Sequence, residues 1–135
     1  MGDKSIMNIY YQQQDATFWH ENPDGKGVGI KDNFFATKSM HIGDLMLYHL
    51  GGQDKDVIPG VYAVGIIISE PYIFKDPRWT HDLWVDTVIV RFRSTEEKPL
   101  ISDEISKVFG GIYRVRKVGR IDNSLHELIL NLINK

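Results

Sequence analysis

Cysteine is absent from the 135-residue chain. That absence removes disulfides, zinc ribbons and thiol nucleophiles, and it agrees with a reducing, cytoplasmic setting. Long apolar runs are missing too. The longest, VGIIIS at 64–69, is far shorter than the roughly 20 residues a membrane-spanning helix needs. The opening MGDKSIMNIYYQQQD has no apolar core of the kind a signal peptide carries. The hydroxyl of a myristoylation signal is displaced to Ser5. No GxSxG, HExxH, P-loop or GxGxxG occurs. The histidines at 20, 41, 49, 81 and 126 lack metal-ligand spacing, so neither a metal nor a cofactor is expected. Nor does one sign of charge dominate. Lys and Arg number 16 against 18 Asp and Glu, for a net charge of −2. That balance argues against a broadly basic nucleic-acid glove and leaves any such role to a local patch.

What is present is the composition of a folded domain, 42% hydrophobic and 25% charged, and a single domain over 1–135 is expected. A strand is predicted at 6–11, followed by a Gly- and Pro-rich loop through 22–29. The run DNFFATKSM, 32–40, reads as a helix with Asp32 or Asn33 as N-cap. Gly43-Asp44 then opens a strand, LMLYHL at 45–50, which ends on a polar aromatic and a histidine. A charged hairpin loop, 53–59, leads to a strand at 61–69, where the small Ala63 and Gly65 permit a bulge or close approach. After an irregular connection over 70–82 comes the longest strand, 83–93. Ser102 caps a short helix ended by Gly110-Gly111. Ser124 and Glu127 have the spacing of a capping box for the last helix. In it Leu125, Leu128, Ile129, Leu132 and Ile133 form a core-facing stripe. The order is that of an α+β fold, a curled mixed sheet or small barrel with helices at its ends.

Two groups of residues point to chemistry. Trp19, Trp79 and Trp84, with Phe18, Tyr72 and Phe74, fall in or beside the irregular loops. Opposed rings can sandwich a nucleobase, each stacking contact being worth about 1–3 kcal/mol. Trp84 inside a strand, and Phe18-Trp19 as a loop plug, read equally as core. YRVRKVGR places Arg114, Arg116, Lys117 and Arg120 close together in a net-acidic chain. Guanidinium forks match phosphate oxygens, and a charged strand edge that resists aggregation is the rival reading. A catalytic pair of Lys38 and Glu70 is the weaker candidate, against a surface lysine and a loop glutamate.

The ordered run GVGIKDNFFATKSMHIGDLMLYHLGG, then IPGVYAVGIIISEPY, LWVDTVIVRF and GRIDNSLHELI resembles the EVE and YTH branches of the PUA-like superfamily over about residues 6–133. The resemblance implies a curved, mixed β-barrel flanked by helices, binding one flipped, modified base between the first helix and the barrel. By position it implies a base pocket of Trp19, Asn33, Tyr48, His49, Trp79 and Trp84, with phosphate contacts from Arg114, Arg116, Lys117 and Arg120. Gly29 stands where the YTH pattern has a cage tryptophan, so either that wall is missing or Trp19 replaces it. The base is therefore open between methyladenine, methylcytosine and hydroxymethylcytosine. The expected function is non-catalytic reading of a modified base, with modified DNA favoured over RNA. Such a reader would serve as the specificity module of a modification-dependent restriction system, an excised N-terminal domain fused to or associated with an AAA+ ATPase or nuclease; a standalone reader fits as well. The alternatives are an RNA-binding PUA-like module and an ASCH-like hydrolase of a modified nucleoside using Thr37, Lys38 and Glu70.

Overall fold

The computed structural model describes residues 7–52, 54–109 and 118–134. Strand β1 (Ile9–Gln14) leads through helix α1 (Ala16–Glu21) and a 3-10 turn (Pro23–Gly25) to β2 (Lys31–Phe35). Then follow β3 (Leu45–Leu50), β4 (Gly60–Ile67), the short β5 (Tyr72–Ile73) and the long β6 (Leu83–Phe92). β7 (Ile101–Ser102), α2 (Asp103–Ser106), β8 (Val118–Arg120) and α3 (His126–Ile133) complete the order. The strand path is β2-β6-β4-β3-β1-β8, with β5 added to β6 and β7 to β4. β1 runs parallel to β3, and the other pairs are antiparallel. Register breaks at Tyr48/His49 and Val64/Gly65 increase the local twist, as bulges do. The result is an α+β fold, a curved, mixed six-strand half-barrel flanked by helices.

Both faces of the central strands are buried, because alternate side chains feed two separate cores. Tyr10, Met46, Tyr48, Tyr62, Val85 and Ile89 pack together on one face with Trp19 of α1. Ile9, Leu45, Leu47, Val61 and Val64 pack on the other, where Ile129 and Ile133 of α3 cover them. Burying each of those isoleucines contributes about 1.5–3 kcal/mol, which is how a helix of eight residues stays docked. Leu125 and Leu132 pack at its margin, while Leu128 of the expected stripe is 43% exposed. Gly65 has the role its size suggested. A Cβ there would lie 3.0 Å from Tyr48 Cε1, so its absence lets the tyrosine ring approach β4 closely beside the bulge.

The structure departs from the local expectations in four places. Residues 31–35 form a strand, not a helix, pairing with Trp84–Val88 of β6. Asn33 is thus a ladder residue opposite Asp86 and not a cap. Sheet pairing and the cross-strand contact of Phe35 with Trp84, centroids 5.0 Å apart, override a weak capping pattern. Helix α1 was not expected. Asp15 caps it, its carboxylate accepting from Phe18 N at 3.1 Å, but six residues are too few to show a period. The last helix is entered through a 3-10 turn over Asn123–Leu125 that is capped by Asp122, not Ser124. The opening strand begins at Ile9 rather than residue 6, and Gly110-Gly111 lie outside the described residues.

Candidate functional site

A cavity of about 620 Å³ opens where β1 runs into α1, bounded by β2 and by the loop over 74–79. β2 ends the strand path, so the cavity takes side chains from both of its faces. Asp32 and Phe34 sit opposite Thr87 and Val85 of the inner core, whereas Asn33 and Phe35 share the outer face with Asp86 and Trp84.

On the inner side, Phe18 of α1 is 53% exposed and faces the cavity with Phe34 and Gln14, while Gln13, on the His49 side of the sheet, also borders it. Gln14 is held by neighbours, its Oε1 accepting from Trp19 Nε1 at 3.4 Å and its amino group donating to Gln12 Oε1. On the outer side a ring cluster forms the wall. Phe35 meets Trp79 edge-on at 5.6 Å and Trp84 at 5.0 Å. Trp84 Nε1 donates to Phe74 O at 2.9 Å, which ties down the loop that carries Phe74 and Trp79. The turn into Trp79 is built by Asp76, whose oxygens accept from Arg78 N at 2.9 Å and from Arg78 Nη2 at 2.6 Å. Those bonds hold the Asp76 carboxyl at about 2, well below the usual range.

The polar groups on this wall are largely committed. Asp15 caps α1, Asp32 accepts from Lys26 Nζ at 2.6 Å, and Asp76 holds Arg78. Balanced carboxylates leave a cavity whose character is set by aromatic faces and by the amides of Gln13, Gln14 and Asn33. Rings supply area, and amides supply both donors and acceptors. That combination suits a flat, polar-edged ligand.

The structure brings together three of the expected pocket residues, Asn33, Trp79 and Trp84. Trp19, Tyr48 and His49 do not line the cavity. Trp19 is 2% exposed and stacks on Phe92 at 6.0 Å. Tyr48 and His49 are both buried, on opposite faces of β3, so they cannot share one wall. Tyr48 lies in the inner core, its hydroxyl paired with Thr87 Oγ1, and burial pushes that hydroxyl well above its ordinary pKa. Its position is supportive, since Thr87 Oγ1 also donates to Asp32 O at 3.3 Å beneath the cavity. Arg120 lies on β8, where its guanidinium donates to Asn8 Oδ1 at 3.3 Å and Asn123 Oδ1 at 3.0 Å. Arg114, Arg116 and Lys117 lie outside the described residues. Lys38 and Glu70 are exposed, Thr37 Oγ1 shares a hydrogen with Ser39 Oγ at 2.9 Å, and none of the three lines the cavity. Among the described residues no group of three His, Asp or Glu is placed to hold a metal, and no helix is long and apolar enough to cross a membrane.

His49 has consequences for stability. Its Nδ1 lies 2.8 Å from Gln13 Oε1 and its Nε2 2.9 Å from Asp103 Oδ1. Burial lowers its pKa, and the hydrogen bond and charge of Asp103 oppose that shift without cancelling it. A lowered folded pKa means the unfolded chain binds the proton more readily. The full stability is therefore present above the ordinary histidine range, near pH 6.5, and is lost as pH falls from there through the folded value. Urea melts between pH 8 and 5 are expected to show this decline in the native chain and a shallower one in His49→Gln. Equal slopes would show that His49 is not the group responsible.

No family model and no curated protein matches the chain. Its fold is similar to that of several solved structures, three of which follow. A hypothetical protein from Leishmania major superposes with a TM-score of 0.63 at 13% identity, covering 96% of each chain. An NMR structure from Rhodopseudomonas palustris gives 0.56 at 12% identity, over 95% of this chain and 94% of that one. A crystal structure from Agrobacterium tumefaciens gives 0.57 at 11%, over 94% and 91%. At such identities the likeness is one of fold, along nearly the whole chain.

Proposed function

We propose that the chain is a PUA-like domain of the EVE/YTH kind that receives a single modified nucleobase in the cavity between α1, β2 and the 74–79 loop. The observation that carries this reading is the cavity wall itself. Exposed or half-buried rings (Phe18, Phe34, Phe74, Trp79) stand beside the amides of Gln13, Gln14 and Asn33. The cavity lies between α1 and the curved sheet, whereas the helix that the resemblance set beside a flipped base was expected at 32–40, where β2 stands.

The energetics suit such a ligand. Extruding a base costs a few kcal/mol, least for a base already unpaired, and stacking at about 1–3 kcal/mol per base offsets it. A buried methyl group adds about 0.8 kcal/mol. Discrimination then comes from fit, and from leaving an amide unpaired when the wrong edge enters. Arg78, paired with Asp76 but with its side chain 78% exposed at the rim, offers its remaining N–H groups to a flanking phosphate. Modified DNA is favoured over RNA, with a nuclease or AAA+ ATPase as the partner, and this part rests on the resemblance alone. The hydrolase reading is not favoured, because its candidate residues do not line the cavity.

The test is a fluorescence-anisotropy screen of duplexes carrying one 5-methylcytosine, 5-hydroxymethylcytosine or N6-methyladenine, beside unmodified duplex and matching single-stranded RNAs. One modified duplex is expected to bind at least about tenfold tighter than its unmodified twin, the ratio that 1.4 kcal/mol produces. Equal affinity for all duplexes would sink the reading, and preference for the RNAs would move it to the RNA-binding branch.

A further inference from the structure

Behind the cavity lies a buried polar chain that the wall residues do not explain. Gln13 is 5% exposed, lines the cavity and turns its amide to His49, which is 1% exposed. His49 in turn meets Asp103 at the start of α2. Two fully desolvated polar side chains in the α3-facing half of the core are costly unless satisfied. They are also chemically coupled.

We propose that His49, held by Asp103, fixes which end of the Gln13 amide faces the cavity, and so sets the hydrogen-bond polarity that a ligand edge meets there. This rests on the nucleobase reading above. A carboxylate only accepts, so the Nε2 facing Asp103 Oδ1 at 2.9 Å carries a hydrogen. The state of Nδ1 then dictates the amide. With Nδ1 protonated it donates to Gln13 Oε1 across the observed 2.8 Å, and the amino end of Gln13 is left for the cavity as a donor. With Nδ1 bare, the amide turns through 180° without changing shape, its amino group donates to Nδ1, and the carbonyl oxygen faces the cavity as an acceptor.

Among the described residues the charged groups at His49 are Asp103 and, behind it, Lys107, whose Nζ is 3.5 Å from Asp103 Oδ2. β1 presents the neutral Gln13, and β4 pairs with His49 through Val61. Burial keeps the imidazole neutral near pH 7. A neutral ring gives the acceptor state, reached from the placement seen here, with Oε1 at Nδ1, by that half-turn of the amide, and it favours a base edge that offers an amino or imino N–H. His49 and Asp103 are positioning residues, and Gln13 is the group that meets the ligand.

Two measurements decide it. Long-range 1H–15N spectra of the native chain at pH 7 are expected to show His49 protonated at Nε2 and bare at Nδ1. Asp103→Asn, which can donate to Nε2, is expected to move that proton to Nδ1. An unchanged tautomer would overturn the relay. In binding, Asp103→Asn is expected to change the ratio of affinities among the 5-methylcytosine, 5-hydroxymethylcytosine and N6-methyladenine duplexes by about fivefold, what one neutral hydrogen bond is worth. Gln13→Glu presents an oxygen to the cavity in either tautomer, so combining it with Asp103→Asn is expected to restore the native order. A uniform loss on all three duplexes would overturn the proposal. A native chain that binds none of them would overturn the nucleobase reading, while the spectra still decide the relay.

Discussion

Trp79→Ala is expected to weaken binding of the preferred modified duplex by roughly 10- to 100-fold, within the 1–3 kcal/mol that one stacking partner contributes, and to affect the unmodified duplex much less. Trp79 belongs to a loop, not to the sheet. Its position comes from the Asp76 turn and from edge contact with Phe35 at 5.6 Å. Truncating it removes a ring face from the cavity and leaves Phe35, 8% exposed, on its own strand. The fold should survive, so thermal melts serve as the control. The differential arises because an added methyl group gains only from the surface it touches. Anisotropy titrations of the paired duplexes measure it. Equal loss on both would remove Trp79 from the recognition of the modification.

Gly60→Ala is expected to destabilise the domain by about 3 kcal/mol, at the upper end of overpacking costs, and to lower its melting temperature by on the order of 10 °C. Gly60 starts β4 with φ +156°, and a Cβ there would lie 2.5 Å from Ile101 O and 2.5 Å from Pro99 Cγ. One obstacle is backbone and the other a ring, so neither moves away cheaply. Relief requires β7 to part from β4, to which it is held through Gly60–Ser102 and Val61–Ile101. β7 leads directly into α2 and Asp103, so the same shift should loosen the partner of His49. Gly52→Ala, where a Cβ meets nothing within 4 Å, is the control and should change little. Urea melts should show a lower midpoint for Gly60→Ala at an unchanged m-value. A midpoint equal to that of Gly52→Ala would mean that β7 yields freely.

The elements legible in the sequence were those whose own side chains carry a period. The strands at 45–50, 61–69 and 83–93 stand as β3, β4 and β6 with ends shifted by at most a few residues. Ser102 caps α2, its hydroxyl accepting from Ile105 N at 3.3 Å. The opening of β3 by Gly43-Asp44 is also as read, and the reason is visible. Asp44 is 4% exposed, and its two oxygens accept from Asn8 N at 3.0 Å and His41 N at 2.9 Å. Where the pattern was short or double, the reading failed. Asp32-Asn33 ahead of two phenylalanines fits a helix start as well as an edge strand, and only the partner strand β6 separates the two.

The site divides along the same line. Trp79 and Trp84 were legible because large rings in or near an irregular, proline-containing segment have few core positions to occupy. Phe34, Phe35 and Asn33 came to the cavity through the strand that was read as a helix. Gln13, Gln14 and Asp15 gave little signal, since a polar run after an apolar strand ordinarily marks a surface. Tyr48-His49 sat at a strand end that suggested water or a pocket. In the structure both side chains are buried, on opposite faces.

By itself the sequence determined the class of fold, the main strands, the core face of the last helix and the aromatic, cysteine-free chemistry of the chain. Those follow from local periodicity and composition, which need no partner to be read. Tertiary structure alone decided that β1 lies parallel to β3, that β2 is a strand, and that the cavity wraps around it. It also decided that His49 does not line the cavity and instead meets Gln13, which does. Each of these depends on which strand lies beside which, and side-chain period along one strand carries no information about its neighbour.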